Sequence, residues 1–583
     1  MRFCIVTACR NSKHIERCIE SVRSQKKDLW KMVIIDDCSD DGTYERIIEA
    51  VNDDKRITVV KNEERKYALR NIVESIWRYS GHDDCICLLD GDDSFIDSQV
   101  LNDIEKEYHK TGADALWTQH INSDGTDGNS GLLEGNALTC SWRMSHLRTF
   151  KKPLIHGIKL DTFKDETGEW WKCAYDQAIY RPIVYLAKKP VFYDRVCVKY
   201  NLGQGDNVQA IQIITARKIQ NKLREDFKNN EPKNVLLVVN GKSEGCDTRF
   251  HQGEKRFPLG VLTLSAALKA RNHNVRLIDR FASPGKWNND DVEWSTHIGF
   301  HCTTPNFPDA RKMIDECKGR GKVLMAGGPH AILHPEDLQD VDFICKGEAD
   351  FEIIDIVEDG KASETQTRID NLDSTPFPDY ELGLDNYFDY TWDWFYDKSE
   401  RVFPMNTSRS CPHSCSFCDV KAIWGKRWTA KSAERVVEDV RYLYQHCGAK
   451  AIYFREDNFC CSRDRLEDIC YGLIDLPIKW ACEMRADSAQ DFELLQLMQE
   501  SGCVGIYVGA ESGSNKMLEV YNKGITRDQI IKACDNATKS GINVLMSIIE
   551  KHPLETETDI ALTEEMINIC KPERVCRCDY RKV

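Results

Sequence analysis

Three cysteines stand at C-x3-C-x2-C spacing in Ser410-Cys411-Pro412-His413-Ser414-Cys415-Ser416-Phe417-Cys418, directly after a strand-like run at residues 401–406. Thiolates on one loop can converge on a single metal centre, and soft sulfur ligands favour zinc or an iron–sulfur cluster. Structural zinc usually takes four protein ligands in two pairs, and no second C-x2-C pair lies nearby. Three ligands and no fourth fit a cubane cluster with one iron open to a small molecule. Two acidic turns offer a different chemistry: Asp36-Asp37-Cys38-Ser39-Asp40-Asp41-Gly42-Thr43 and Asp90-Gly91-Asp92-Asp93, each following an apolar run. Carboxylates on a tight glycine turn suit a hard divalent cation, Mg2+ or Mn2+, which in turn neutralises a diphosphate.

These residues need elements to hold them. Residues 1–225 alternate short apolar runs (2–7, 32–35, 57–60, 85–89) with helical spacing, which predicts βαβ units and a mostly parallel sheet. In such a sheet ligands bind beyond the carboxyl ends of the strands, so both acidic turns face one crevice. A polar helical stretch at 210–228 runs into a linker at 229–233. A second α/β series occupies 233–365, residues 366–400 form an irregular connector, and a third series fills 401–583 with strands near 402–407, 451–455, 504–509 and 543–548. The fold class is therefore multidomain α/β. A net charge of −15 argues against a general nucleic-acid surface, and no apolar run is long enough to span a membrane. With 26 cysteines and no export signal at its start, the chain reads as a cytoplasmic enzyme whose cysteines are thiols or metal ligands.

The cysteine loop, with Phe417 just before its third cysteine, resembles that of the radical S-adenosylmethionine (SAM) enzymes. The resemblance implies a partial (βα)6 barrel in which Cys411, Cys415 and Cys418 hold a [4Fe–4S] cluster that binds SAM and, once reduced by an external flavodoxin- or ferredoxin-type donor, cleaves it to a 5′-deoxyadenosyl radical. Later segments are similar to the family's motifs: Tyr453-Phe454-Arg455-Glu456-Asp457-Asn458-Phe459, Trp480-Ala481-Cys482-Glu483-Met484-Arg485 and Gly509-Ala510-Glu511-Ser512-Gly513. They imply SAM contacts from Phe417, Glu456, Asp457, Glu483, Arg485 and Glu511. The family's Gly-x-Pro-Gly-Glu reads Glu550-Lys551-His552-Pro553-Leu554-Glu555 here, so its backbone contacts to SAM stand in question. Cys570, Cys576 and Cys578 could ligate an auxiliary cluster, with ordinary thiols as the default.

The first segment resembles family-two, GT-A glycosyltransferases. That implies a Rossmann-like domain in which Thr7, Arg10, Asp36, Asp37 and Asp93 contact a nucleotide sugar, and Asp90 and Asp92 hold the divalent cation. Asp176, in Glu169-Trp170-Trp171-Lys172-Cys173-Ala174-Tyr175-Asp176-Gln177, falls in the segment that carries the general base. A helix N-terminal carboxylate is its bland alternative. The family more often has Glu-Asp where this chain has Tyr175-Asp176.

The second segment looks like the Rossmann-like cobalamin-binding domain that precedes many radical SAM enzymes, with Gly327 and Gly328 matching positions that line the cofactor's nucleotide tail. The cobalt-ligating Asp-x-His-x-x-Gly is missing. Residues 247–253 come close with the wrong spacing, so His251 is not assigned, and His330 and His334 read as loop residues. Cobalamin is not excluded by this, and a cofactor-free domain is the other reading.

Together these readings give a bifunctional enzyme that transfers a sugar and modifies an unactivated carbon, by cobalamin-assisted methylation or otherwise, on a glycoconjugate or natural-product acceptor. Two alternatives stand beside it: only the radical half is catalytic and the sugar-transferase domain binds substrate, or the cysteines hold metal in a non-catalytic scaffold.

Overall fold

The computed structural model describes residues 1–201, 206–241, 257–387 and 401–581. The near-miss cobalt motif at 247–253 and the end of the connector, 388–400, lie outside them. The chain forms two compact units, Met1–Glu231 with Lys269–Asn272, and Pro232–Leu268 with His273–Val583. The second and third sequence segments thus share one unit.

In the first unit an eight-stranded sheet runs in the order Ile57–Lys61, Trp30–Asp36, Phe3–Cys9, Cys85–Leu88, Arg148–Lys151, Ala115–Asn122, Pro190–Tyr200, Ser94–Phe95. Its first four strands are parallel. Arg148–Lys151 then enters antiparallel to both its neighbours, so the sheet is mixed rather than mostly parallel. Side chains of Phe3–Cys9 alternate between two cores: Cys4 and Val6 pack with Leu69, Ile72 and Ile76, and Phe3 and Ile5 with Ile15, Ile19 and Val22. A strand covered by helices on both faces needs apolar residues at every position, which is why it reads as a continuous apolar run. Each such fully buried Ile or Val contributes roughly 1.5–3 kcal/mol relative to exposure.

In the second unit, five parallel strands run in the order Asn274–Asp279, Asn234–Val239, His297–His301, Val323–Gly327, Phe343–Ile344, the doubly wound pattern. A six-stranded parallel sheet follows in sequence order: Val402–Met405, Ala451–Phe454, Lys479–Met484, Cys503–Glu511, Asn543–Glu550, Arg574–Asp579. This is the expected partial (βα)6 barrel. Ser432, Ser462, Asp491, Thr526 and Thr556 each cap a crossover helix by accepting a backbone N–H. Trp480 is buried at the centre, and its Nε1–H donates to the Ser501 carbonyl at 2.9 Å. No described helix is long and apolar enough to cross a membrane.

Candidate functional site

A cavity of about 910 Å³ opens at the strand ends of the first unit. Gly91 lets the second acidic turn close on the first strand, since a Cβ there would lie 2.6 Å from that of Cys9. That contact aims Asp90 into the cavity, where Asp37, Arg10 and Asp176 also lie. Asp37 accepts the backbone N–H groups of Lys66 and Tyr67 (2.8 and 2.9 Å) and Nδ2 of Asn62 (2.8 Å). Burial raises its carboxyl, but these bonds and Asn71 outweigh burial and hold it below the usual range. Thr7 and Asp36 are buried and absent from the cavity wall. Asp36 instead accepts the Ser39 N–H at 3.2 Å and shapes the turn.

Among the described residues, one set of three potential metal ligands closes within 4.8 Å: Asp90, Asp93 and His146. Asp92, expected as the second metal ligand, is not part of this set. Asp92 is raised by burial and by the Asp90 charge, and its backbone carbonyl accepts from Arg17 at 3.0 Å. Asp93, expected to contact the nucleotide sugar, is fully buried. Its Oδ1 accepts the Asn201 N–H at 2.8 Å, and its Oδ2 is buried without a partner, 3.7 Å from Nδ1 of His146. Burial, then the charges of Asp90 and Asp92, pushes Asp93 up to about 9. Burial and the Arg148 charge keep His146 neutral. An orphaned carboxyl oxygen facing a neutral imidazole fits a divalent cation, which would take the place of the carboxyl proton.

Arg148, 1 % exposed, lies 3.8 Å from Asp90 and 3.4 Å from Asp176. The Tyr175 hydroxyl donates to Asp90 at 2.5 Å. Asp176 sits in the first turn of helix Tyr175–Leu186, and burial raises its carboxyl against the pull of Arg148. A raised carboxylate on the cavity wall is chemically suited to take a proton. His146 and Arg148 carry no sequence signal, since they lie far along the chain, in a bend and at the start of the ordinary strand that follows it.

In the second unit, the cysteine loop is tied to the 520–522 segment: Ser416 N–H donates to the Tyr521 carbonyl (2.9 Å), Ser416 Oγ to that of Val520 (3.0 Å), and Asn522 Nδ2 to that of Ser414 (2.7 Å). Phe417 packs edge-on to Tyr521, and Lys523 lies over its ring. Hydrogen bonding from Cys461 outweighs burial and lowers the Cys411 thiol. Burial raises Cys418 to about 11. A guanidinium nitrogen of Arg485 lies 4.0 Å from the Cys415 sulfur. Three half-exposed thiols on one tethered loop beside a cation suit an anionic cluster.

A cavity of about 710 Å³ lies between the doubly wound sheet and the barrel of this unit. Gly327, Gly328, Glu456, Asp457 and Glu483 line it; Phe417, Arg485 and Glu511 do not. Glu456 clamps the strand before the loop, accepting the Thr407 N–H at 2.5 Å and the Ser408 hydroxyl. Asp457 is pushed up to about 6 by burial and by Glu456. Glu483 accepts the Tyr453 hydroxyl at 3.0 Å. Arg485 is spent on Asp487 and on the Lys523 carbonyl (2.7 Å), and Glu511 on Lys523 (2.8 Å) and Ser547 (3.0 Å). Gly328 is a glycine for a backbone reason, since at φ 101° a Cβ would meet the Cys302 carbonyl at 2.7 Å.

Where glycines were expected, Lys551 itself adopts the left-handed conformation (φ 63°). Cys570 pairs with Cys534, Cys576 with the Tyr507 hydroxyl, and Cys578 donates to the Ile548 carbonyl. These three thiols face different partners rather than one auxiliary cluster.

Residues 4–164 match the family model of glycosyl transferase family 2, residues 252–354 that of the B12 binding domain, and residues 405–567 that of the radical SAM superfamily. An uncharacterized methyltransferase, PH0819, of Pyrococcus horikoshii is 30% identical over 349 residues, covering 52% of this chain and 72% of that protein. A putative methylthiotransferase, MJ0865, of Methanocaldococcus jannaschii is 25% identical over 352 residues, 56% of this chain and 76% of that protein. Among solved structures, the cobalamin-dependent S-adenosylmethionine radical enzyme OxsB, with aqua-cobalamin and S-adenosylmethionine bound, aligns at 19% identity with a TM-score of 0.48, covering 60% of this chain and 53% of that one.

Proposed function

The chain belongs to the radical SAM superfamily, in the group whose barrel follows a B12-binding domain, and from that premise we propose a cobalamin-assisted radical methyltransferase joined to a metal-dependent nucleotide-sugar glycosyltransferase. The observation that carries the radical half is the cavity of about 710 Å³, whose wall combines glycine-lined strand ends of one domain with Asp457 and Glu483 of the other. When bound, the [4Fe–4S] cluster and SAM supply a 5′-deoxyadenosyl radical, and cobalamin supplies a transferable methyl group. The two relatives, named as a methyltransferase and a methylthiotransferase, support the transfer of a methyl or methylthio group.

The chain's own task is to bind, orient and exclude water. Cys411, Cys415 and Cys418 would hold the cluster, with Arg485 offsetting its charge. Glu483, fixed by the Tyr453 hydroxyl, and Asp457 would meet polar groups of SAM. Leu237 and Met325 make the opposite wall apolar, which keeps water from a reactive radical. In the first unit Asp90, Asp93 and His146 would hold the cation against a diphosphate, and Asp176 would accept the proton of the attacking hydroxyl.

We place both activities on one glycoconjugate or natural-product precursor, because a covalent link raises the concentration of one site near the other's product. The radical half would draw electrons from a flavodoxin- or ferredoxin-type donor. The free thiols throughout the described residues support a reducing, cytoplasmic setting. One observation favours a narrower reading, in which the first unit only binds sugar: Asp90 is already engaged by Tyr175 and Arg148. Hydrolysis or transfer of nucleotide sugars with Mn2+, compared between the native chain and Asp90→Ala, separates the two. Turnover lost in the variant supports transfer, and binding without turnover in the native chain supports the narrower reading.

A further inference from the structure

We propose that His301 supplies a nitrogen ligand to the cobalt of a cobalamin held in the cavity of the second unit. The inference rests on the reading above that this domain holds cobalamin, and it assigns the role left open by the missing Asp-x-His-x-x-Gly to a different strand end.

His301 is the last residue of the central strand His297–His301, in register with Val239 on one side and Gly327 on the other. Side chains two apart on a strand share a face, so His301 projects on the side of Gly299, and the cross-strand partners Leu237, Met325 and Gly327 fall on that face too. All of them line the cavity with His301. The sheet side of this space is apolar and glycine-lined by Leu237, Gly299, Met325 and Gly327, and Arg455 of the barrel also lines it. A cobalamin seated against these glycines would meet His301, which shares their face at the end of its strand.

The imidazole is free for this. Its Nδ1 is buried with no hydrogen-bond partner, and a buried polar atom left unsatisfied calls for an explanation. The other described histidines of this domain do not line the cavity, although His330 Nε2 is likewise buried without a hydrogen bond. His273 bonds Glu358 at 3.1 Å and His297 bonds the Thr296 hydroxyl at 2.9 Å. His330 faces Asp337 at 3.3 Å and stacks on Phe307, and His334 bonds Glu336 at 3.4 Å. The His301 ring is also seated, because Gly328 leaves room where a Cβ would press within 3.2 Å of its Cδ2. Burial, then the Arg455 charge, pushes its pKa down to about 4, so the lone pair is unprotonated at neutral pH.

The test uses the full-length protein loaded with cobalamin, freed of excess by gel filtration and reduced to the cobalt(II) form. Electron paramagnetic resonance of the native chain should show cobalt hyperfine lines split into triplets by one nitrogen. Growth on 15N-histidine should turn the triplets into doublets, which the cofactor's own benzimidazole could not do. His301→Ala should lose the splitting and shift the visible spectrum while cobalamin still co-elutes. Splitting that ignores the histidine label, or bound cobalamin without nitrogen splitting, overturns the inference and leaves the cobalamin reading intact. A native chain that retains no cobalamin overturns that reading and the inference with it. The labelled native protein decides the matter even if the variant does not fold.

Discussion

One terminal nitrogen of the Arg148 guanidinium lies 3.4 Å from the carboxylate of Asp176, and the other lies 3.8 Å from that of Asp90. One buried cation thus serves two carboxylates with separate tasks, the candidate base and a candidate metal ligand. Replacing it by Met would take from both carboxylates the buried cation they share. Removing one member of a buried ion pair costs about 3–5 kcal/mol, so Arg148→Met should unfold the first unit at markedly lower denaturant. Arg148→Lys should recover part of the stability and little of the transferase turnover, because a point charge cannot span both carboxylates. Denaturant titration and nucleotide-sugar turnover on the same samples check this.

The metal assignment separates neighbours in sequence. Asp93→Asn and His146→Ala should each weaken Mn2+ binding by at least about tenfold, the effect of losing roughly 1.4 kcal/mol of ligation. Asp92→Asn should change it little. Calorimetric titration of Mn2+ into the three variants reads the order directly, and an Asp92 effect larger than that of Asp93 would restore the pairing the sequence implied.

Two glutamates on the second cavity should part company. Glu456 accepts two bonds from Thr407 and Ser408, so Glu456→Gln should lower stability by about 1–3 kcal/mol, the cost of disturbing a buried hydrogen-bonded group. Glu483 lines the cavity and accepts the Tyr453 hydroxyl, so Glu483→Gln, which keeps an accepting oxygen for that hydroxyl, should weaken SAM binding more than it lowers the melting temperature.

This contrast also shows what was legible in the sequence. The cysteine loop, the acidic turns and the strand positions are local or periodic signals, and the strands lie within a few residues of where the apolar runs put them. Glu456, Arg485 and Glu511 were recognised as strand-end residues, but spacing does not say which neighbours consume a side chain. Their partners Ser408, Asp487, Lys523 and Ser547 come from other elements. His146 and His301 were missed for the same reason, since each gains its meaning only from strands that pair across the sheet. The antiparallel entry of Arg148–Lys151 was likewise hidden, because strand direction is a property of connections and not of the strand's own residues.

His297 gives the second unit an acid limit. Burial, then Lys233 and His273, lowers its pKa from 6.5 to about 4. Between those values the unfolded chain binds the proton and the folded chain does not, so stability falls as pH drops from about 6.5 and levels off for this group near 4. His297→Gln should reduce the slope of that part of the stability-versus-pH curve, leaving the share that the equally lowered His301 contributes, and leave the curve above pH 7 unchanged in shape. Denaturant midpoints measured from pH 4.5 to 8 test it.

Lys551 occupies a left-handed conformation that costs a side-chain-bearing residue about 1–2 kcal/mol. Its ammonium pairs with Asp579 at 2.9 Å in an exposed setting, a contact worth about 0–1 kcal/mol. Lys551→Gly should therefore be neutral or mildly stabilising and keep SAM cleavage. Lys551→Val, which cannot adopt this backbone comfortably, should destabilise the turn and reduce cleavage. Equal loss in both variants would mean that the lysine side chain itself is needed.

The most direct test of the central claim is SAM turnover by the full chain, reconstituted anaerobically with iron, sulfide and cobalamin and then reduced, with 5′-deoxyadenosine and S-adenosylhomocysteine quantified together. The account predicts 5′-deoxyadenosine from the native protein and none from Cys415→Ala. A complete cluster that binds SAM yet yields neither product, or product that persists in Cys415→Ala, would contradict it.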